Sequence, residues 1–274
     1  MERYAVFFDL DGTLLTTDKR VTERNRRALE LAHSRGAYIV PTTGRIYDGM
    51  PDAVRELPFI DYAITVNGAE VYDVRARKAL RREEISAARA LEIFDIMEEF
   101  DCIYDCYAKG WGYMQREHYE KADEYVIEQH MRKMVKSVRT PVDDIRRYVT
   151  SHFESVQKMQ MFFRELKENE RASEQLRITL KDECITSSIR GNLEINSARA
   201  NKGEGMKFLC EYLGVPIENS VAFGDGSNDM TMIMAAGTGV AMGNAIDEVK
   251  RAAKLVTARN DEDGVALALE KLFR

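Results

Sequence analysis

The chain has 274 residues, more than one compact core usually holds, and this length suggests two folding units. It is 45% hydrophobic and 31% charged, which is typical of a globular protein and too apolar for a disordered one. Lys and Arg total 40 against 46 Asp and Glu, a formal net charge of -6. This balance excludes a general basic face for nucleic acid or an anionic membrane, but a local pocket for a small anionic substrate stays compatible with it.

The cysteines and the N-terminal segment predict a cytoplasmic protein. The four cysteines are too few and too scattered for a disulfide framework, and the four histidines show no zinc-ligand spacing. Asp9 and Asp11 interrupt the first apolar run, which therefore does not resemble a signal peptide. No stretch approaches the ~20 apolar residues that a membrane-spanning helix needs.

Strands and helices alternate in the first part of the chain. Short apolar runs predict strands at residues 5–8, 38–40 and 62–66. Between the first two, Thr22 suits a helix N-cap and Gly36 suits the position just after the helix. Because strands separated by helices usually form a parallel sheet, this part predicts an α/β fold.

The pattern changes after residue 83 and resumes near residue 189. The simplest division is a discontinuous core, residues 1–83 plus 189–274, with an inserted domain at residues 84–188. The insertion has a predicted helix that begins after Ser86, an aromatic-rich polar stretch, and a predicted strand at residues 157–163.

The last part again predicts α/β structure. Apolar runs at residues 220–223 and 239–242 predict strands, and apolar positions over residues 206–213 and 265–272 predict helices. The chain shows no internal repeat and no low-complexity linker.

Two carboxylates follow the first predicted strand directly. Asp9 and Asp11 stand two residues apart in Asp9-Leu10-Asp11-Gly12-Thr13, so both side chains can point to one side of extended backbone. Ligands in open α/β sheets bind beyond the carboxyl ends of strands. Neighbouring carboxylates repel each other and usually share a cation or a proton. The alternative is an ordinary turn, for which Asp-Gly is common.

Three further segments carry polar groups at a strand end or a helix start. Residues 224–229, Gly-Asp-Gly-Ser-Asn-Asp, follow an apolar strand and offer the oxygen ligands that Mg²⁺ prefers, without the spacing of an EF-hand. Thr43 and Gly44 follow the second strand and offer a hydroxyl and N–H groups for a phosphoryl oxygen. Lys202 stands near a predicted helix N-terminus, against the preference of the helix dipole, which favours a function. The alternative for Thr43 and for Lys202 is a solvated or structural side chain, which is the more common role of a single Thr or Lys.

Together these four segments resemble the motifs of the haloacid dehalogenase (HAD) superfamily of phosphatases, specifically the Cof-type group (class IIB). The resemblance spans both predicted core segments, and the insertion lies between the second and third motifs, as in the group with a C2-type cap. It implies a Rossmann-like parallel-sheet core with an inserted α/β cap domain, and it says little about the substrate.

The resemblance also implies roles for individual residues. Asp9 would be the nucleophile that forms an aspartyl-phosphate, and Asp11 the acid/base that first protonates the leaving alcohol and then deprotonates water. Thr43 would orient the phosphoryl oxygens, and Lys202 would neutralise negative charge. Mg²⁺ would be bound by Asp9, Asp225 and the backbone carbonyl of Asp11, with Asn228 or Asp229 beside it.

Substrate contacts are expected from the core and from the insertion. The core candidates are Gly44, Arg45, Asn67, Gly68 and Asn228. The insertion candidates are Lys109 and Trp111, which lie in a glycine-broken stretch rich in aromatic and basic side chains. An ordinary cap surface or a dimer contact explains that stretch equally well.

The sequence therefore predicts a Mg²⁺-dependent phosphomonoesterase for a small phosphorylated metabolite such as a sugar phosphate, with no nucleic-acid or membrane partner. The oligomeric state is left open. One alternative is a phosphosugar mutase, which would return the phosphoryl group to the sugar. The other is a catalytically silent metabolite-binding protein, although a pure binder has no need of the nucleophile Asp9.

Overall fold

The computed structural model describes residues 3–273, apart from the side chain of His130. The described chain divides into two compact units, residues 3–81 with 201–273 and residues 82–200. Within the described residues, no helix combines the length and the apolar character needed to cross a membrane.

The first unit begins with the α/β segment that the sequence predicts. Its elements are β1 (Tyr4–Phe8), α1 (Glu23–Ser34), β2 (Ala37–Pro41), α2 (Asp52–Arg55), β3 (Tyr62–Thr65), β4 (Glu70–Asp73) and β5 (Lys78–Arg82). The hydroxyl of Thr22 caps α1 by accepting the N–H of Asn25 at 3.1 Å, and Gly36 ends the helix with φ +88°.

The second unit is built on a six-stranded sheet. Its elements are β6 (Ile85–Ser86), α3 (Ala87–Met97), β7 (Ile103–Ala108), β8 (Trp111–Gln115), α4 (Arg116–Tyr125), α5 (Gln129–Ser137), β9 (Arg139–Val142), α6 (Ile145–His152), β10 (Ser155–Val156), β11 (Lys158–Phe162), α7 (Leu166–Thr179), β12 (Glu183–Thr186) and β13 (Asn192–Ser197). The strand order is β12-β13-β11-β7-β8-β9, antiparallel except for the β8–β9 pair.

The strand β13 changes the predicted second boundary. The sequence predicts that the chain re-enters the core near residue 189. In the structure, β13 pairs with β11 and β12, and Leu193 and Ile195 are buried in the core of the second unit. The chain therefore re-enters the first unit at Asn201.

The last segment completes the first unit. Its elements are α8 (Lys202–Leu213), β14 (Ser220–Gly224), α9 (Met230–Ala235), β15 (Thr238–Ala241), α10 (Asp247–Ala252), β16 (Leu255–Val256) and α11 (Gly264–Leu272). The main sheet has the order β16-β15-β14-β1-β2, and all of its strand pairs are parallel. The predicted α/β class with a parallel core sheet is confirmed.

The sheet order brings the predicted motifs to one edge. Strand β1 lies between β14 and β2, and Phe8 is level with Phe223 on one side and Pro41 on the other. The segments that follow these three strands therefore leave the sheet side by side. The chain turns in opposite directions from β1 and β14, which makes this edge a topological switch point, the place where α/β sheets bind ligands.

Candidate active site

A buried lysine joins two of the acidic segments. Lys202 is the first residue of α8, whose N-cap Asn201 accepts the N–H of Glu204 at 2.9 Å. The Lys202 ammonium donates to Oδ1 of Asp9 at 2.7 Å and to Oδ1 of Asp229 at 2.6 Å. Burial by itself lowers the pKa of Lys202, but the charges of Asp229 and Asp9 outweigh it, so its pKa lies above the ordinary value.

Asp229 also fixes the turn that follows β14. Its Oδ2 accepts the backbone N–H groups of Asp225 at 2.8 Å and Gly226 at 2.9 Å. Position 224 must be glycine for this contact, because a Cβ there would lie 2.4 Å from the Cβ of Asp229. Since both oxygens of Asp229 already bind groups of the chain, a supporting role suits this residue better than that of a direct metal ligand.

The loop after β1 positions the carboxylate of Asp225. The hydroxyl of Thr13 donates to Asp225 Oδ1 at 2.8 Å. Gly12 adopts φ +82°, and a Cβ at this position would lie 2.3 Å from Asp225 Oδ2. Gly12 is therefore required by the contact with Asp225, and not only by the turn.

Asp9, Asp225 and Asp229 form an acidic cluster in which each residue offers one carboxylate oxygen within 4.8 Å of the others. Burial raises the pKa of Asp9 well above its ordinary value in spite of Lys202, and burial with the charge of Asp229 raises the pKa of Asp225 to about 7. These carboxylates lack sufficient counter-charge, which a cation would supply. Because the donors are all oxygens, the cluster fits a hard divalent cation such as Mg²⁺.

Two cations hold the carboxylate of Asp11, which is not a member of the acidic cluster. Arg45 donates from Nε to Oδ2 at 2.7 Å and from Nη2 to Oδ1 at 2.8 Å, while Lys19 Nζ donates to Oδ1 at 2.7 Å. Burial alone raises the pKa of Asp11, but the hydrogen bonds and charges of Arg45 and Lys19 outweigh it and lower the pKa to about 2. Asp11 is therefore ionised in this conformation.

These ion pairs add to what the sequence predicts. Arg45 is predicted to contact the substrate, and in the structure it binds Asp11 and also donates to the carbonyl of Gly49 at 3.0 Å. Sequence reasoning missed Lys19, because it lies in no motif. Its position depends on a tight turn in which Lys19 itself has φ +59°.

Thr43 is buried at the carboxyl end of β2. Its N–H donates to the carbonyl of Ile64 at 2.8 Å, and its hydroxyl oxygen accepts the N–H of Arg45 at 3.1 Å. The N–H of Thr43 is thus engaged within the chain, and its hydroxyl is the group suited to a phosphoryl oxygen.

The other predicted substrate-binding residues of the core lie around Asn67. Asn67 occupies a turn with positive φ values at Val66, Asn67 and Gly68, and its Oδ1 accepts Nδ2 of Asn228 at 3.2 Å. Gly44 lies against the same oxygen, since a Cβ at position 44 would be 2.8 Å from it. The structure therefore brings Gly44, Asn67 and Asn228 together, and Gly68 packs against the backbone of Asn201.

Lys109 and Trp111 lie at the β7–β8 hairpin of the second unit. The Lys109 ammonium is 5.4 Å from the ring centroid of Phe153, and the indole N–H of Trp111 donates to Oγ1 of Thr140 at 2.9 Å. These contacts are internal to the second unit and account for both side chains structurally. Their role in substrate binding stays a prediction.

The family model of haloacid dehalogenase-like hydrolases matches residues 6–269. The chain belongs to this family. The Cof-type identification made from the four motifs is confirmed, and so is the prediction that this HAD protein is a phosphatase.

Relatives of this HAD phosphatase match almost its entire length. Phosphatase YwpJ of Bacillus subtilis is 30% identical over 98% of this chain and 99% of its own. The 5-amino-6-(5-phospho-D-ribitylamino)uracil phosphatase YcsE of B. subtilis is 31% identical over 96% of this chain and 93% of its own. The solved structure of a haloacid dehalogenase-like hydrolase from B. subtilis has a TM-score of 0.85 and 27% identity, covering 98% of this chain and 99% of that one.

Proposed function

We propose that this HAD phosphatase is a Mg²⁺-dependent phosphomonoester hydrolase that acts on a small phosphorylated metabolite through an aspartyl-phosphate on Asp9. The observation that carries the proposal is the buried contact of Lys202 with Asp9 and Asp229 beside Asp225. A nucleophilic carboxylate, a fixed cation and an oxygen-only cluster are the parts that phosphoryl transfer needs.

In the first step, a carboxylate oxygen of Asp9 attacks phosphorus, and the bond between phosphorus and the ester oxygen breaks. The leaving alkoxide takes a proton from Asp11 and departs as the alcohol. Lys202, at 2.7 Å from Asp9, reduces the repulsion between the carboxylate and the anionic phosphoryl group. The hydroxyl of Thr43 orients a phosphoryl oxygen.

In the second step, a water molecule attacks phosphorus and gives its proton to Asp11, and the bond between phosphorus and Asp9 breaks. The ionised Asp11 of the present structure suits this step, because a carboxylate can accept the proton. The first step needs a protonated Asp11, so the ion pairs with Arg45 and Lys19 must loosen when substrate binds.

Asp9, Asp225 and the backbone carbonyl of Asp11 would hold Mg²⁺, with Asp229 orienting the Asp225 turn. The bound cation would neutralise negative charge on the phosphoryl group and on the nucleophile. Support for this assignment comes from burial and from the neighbouring carboxylates, which together raise the pKa of Asp9 and of Asp225 in spite of the charge of Lys202.

The substrate class is proposed from the relatives and from the division of the chain. YcsE is named for a phosphorylated ribitylamino-uracil, which is a small phosphate ester. We assign residues 82–200 as the C2-type cap that selects the substrate, because this unit carries none of the four HAD motifs and has a core of its own.

The decisive experiment is phosphate release from sugar, nucleotide and cofactor phosphates, with Mg²⁺ or with EDTA, for wild type and Asp9→Asn. Asp247→Asn, an exposed change on α10, is the matched control. The proposal expects release that needs metal, disappears in Asp9→Asn and persists in Asp247→Asn. An isomerised phosphosugar with little free phosphate would instead indicate a mutase, and tight binding without turnover would indicate a silent binder.

A further inference from the structure

Asn244 lies in a turn at the carboxyl end of β15, the strand that neighbours β14. The turn is held against the Asp225 segment by two backbone hydrogen bonds, from Met242 N–H to Gly224 O at 3.0 Å and from Ile246 N–H to Asp225 O at 3.0 Å. From this position the Asn244 side chain donates through Nδ2 to the carbonyl of Gly12 at 2.8 Å.

The orientation of the Asn244 amide is set from its other end. The backbone N–H of Asn260 donates to Oδ1 of Asn244 at 3.0 Å, which leaves Nδ2 directed at Gly12. The Asn244 turn can approach the backbone of residues 257–259 because position 243 is glycine, where a Cβ would lie 2.9 Å from the backbone nitrogen of Arg259. Both polar atoms of the Asn244 side chain therefore have defined partners.

The residues after Asn244 hold the same loop at further points. The buried side chain of Asn260 donates through Nδ2 to the carbonyl of Leu15 at 3.0 Å. Asp261 accepts the backbone N–H of Thr17 at 2.8 Å and its hydroxyl at 2.6 Å. The loop that carries Asp11 and Thr13 is thus hydrogen-bonded to a segment more than two hundred residues away in the sequence. Gly12 and Asn244, for example, are 232 residues apart.

The hydrogen bond from Asn244 to the Gly12 carbonyl is connected to the acidic cluster through Thr13 and Gly12. The Gly12 carbonyl belongs to the peptide that leads into Thr13, whose hydroxyl donates to Asp225, and Gly12 itself contacts the Asp225 carboxylate. Rotation of this peptide would displace Thr13, whose hydroxyl donates to Asp225 Oδ1. Groups that orient ligand side chains in this way commonly control metal affinity.

We infer that Asn244, oriented by Asn260, is a positioning residue that fixes the Gly12–Thr13 peptide and thereby the Asp225 carboxylate for catalysis. The inference rests on the proposed function in one respect, the assignment of Asp225 and the Asp11 carbonyl to Mg²⁺. It assigns Asn244 no contact with the substrate.

The test compares Asn244→Ala with Asn219→Ala. Asn219 is a matched control, because its amide donates to the distant carbonyl of Arg3 at 3.2 Å and lies at the opposite end of β14. We expect Asn244→Ala to weaken Mg²⁺ binding, measured by calorimetry with the metal alone, and to lower kcat by about 10- to 100-fold. Asn219→Ala should stay within about twofold of wild type in both. Asn244→Asp, which replaces the donor by an acceptor, should be as impaired as Asn244→Ala.

A purely structural role predicts a different pattern, which amide hydrogen exchange detects. If Asn244 is a positioning residue, the effect of Asn244→Ala should stay local. The Leu14 and Leu15 amides, bonded to the carbonyls of Asp9 and Leu10, should then exchange faster, whereas amides of β14 should not change. Faster exchange in both places, with a matching loss of Tm, would reduce Asn244 to a fold-stabilising residue and overturn the inference. Metal affinity, kcat and exchange all equal to those of Asn219→Ala would also overturn it.

Failure of the proposed function gives a separate result. If wild type released no phosphate from any ester, the hydrolase proposal would fail, while the Mg²⁺ titration and the exchange of Leu14 and Leu15 would still judge Asn244.

Discussion

Lys202 and Asp9 form a buried ion pair of 2.7 Å between residues that are 193 positions apart in the chain. The same ammonium binds Asp229, so one cation serves the proposed nucleophile and the residue that organises the Asp225 turn. A change at Lys202 should therefore affect stability and catalysis together, through one contact.

Lys202→Met should remove the only cation that contacts both carboxylates within the described structure. We expect the free energy of unfolding to fall by about 3–5 kcal/mol, because uncompensated buried charges remain. Lys207→Met, in the same helix and exposed beside Glu204, should cost at most about 1 kcal/mol. Urea unfolding of both variants measures the difference, and an equal effect of the two changes would contradict the prediction.

Lys202→Arg separates catalysis from stability at this position. It keeps the positive charge, but a planar guanidinium cannot reproduce the point contact of an ammonium. We expect a folded protein whose phosphate release is reduced by about 10²- to 10³-fold. Activity near that of wild type would show that charge alone suffices.

Gly12→Ala should damage the acidic cluster, and Gly36→Ala provides its control. Both glycines have positive φ, +82° and +88°, so both substitutions cost roughly 1–2 kcal/mol of backbone energy. Only at position 12 would the new methyl group lie 2.3 Å from Asp225 Oδ2, since nothing lies within 4 Å at position 36. We expect weaker Mg²⁺ binding and lost activity for Gly12→Ala alone. Equal activity of the two variants at equal stability would refute this.

Removal of metal should make stability depend on pH through the acidic cluster. The folded-state pKa of Asp225, about 7, is raised above the ordinary value of 3.8, mainly by burial and then by the charge of Asp229. The contribution of protonated Asp225 to the free energy of unfolding is fully present below pH 4 and is lost as the pH rises through about 7. In EDTA, Asp225→Asn should therefore become increasingly more stable than wild type between pH 4 and 7.

Saturating Mg²⁺ should make wild type more stable than Asp225→Asn, because the cation binds the wild-type acidic cluster more tightly than that of the variant. Urea unfolding across this pH range, with and without metal, measures both effects. A stability difference that does not change with pH in EDTA would show that Asp225 is not desolvated as described.

Arg45→Met should give the opposite pH dependence at Asp11. Arg45 and Lys19 overcome the effect of burial and lower the pKa of Asp11 to about 2, so their stabilisation is present above the unfolded value of 3.8 and is lost as the pH falls through about 2. The loss of stability in Arg45→Met should be largest above pH 4 and should shrink towards pH 2.5. Arg251→Met, an exposed change beside Glu248, should show no such trend in urea unfolding.

The positions of the motif segments in the fold could be predicted because these segments follow short apolar runs. The runs before Asp9, Thr43 and Asp225 are completely or nearly buried strands, and parallel pairing sets their ends level. The motifs also located both Arg45 and Asp11, but they did not predict the ion pair between them. The pairing of Arg45 with Asp11 depends on side-chain direction, which no local pattern encodes.

Strand β7 shows why the second unit was harder to predict. Its residues Tyr104, Asp105 and Tyr107 look polar in sequence, yet every residue of the strand is buried. Asp105 is neutralised by Arg139, which donates to its Oδ2 at 2.6 Å across 34 residues of sequence. Because the partner of Asp105 is so distant in sequence, the local pattern of this buried strand resembles that of a polar loop. The predicted return to the core at residue 189 differs from the unit boundary at residue 201 for a related reason, since β13 pairs with β11 and β12 of the second unit.

The central position of β1 has a consequence for synthesis in the cell. Its hydrogen-bonding edge towards β14 stays open until Ser220–Gly224 has been translated, and Thr13 and Asp225 are 212 residues apart. At ordinary elongation rates this leaves an apolar strand edge without its partner for roughly 10–40 s. The continuous second unit can meanwhile form its own sheet on the ribosome. We therefore expect the nascent chain to need chaperone protection at β1, and catalytic competence to be the last property that it acquires.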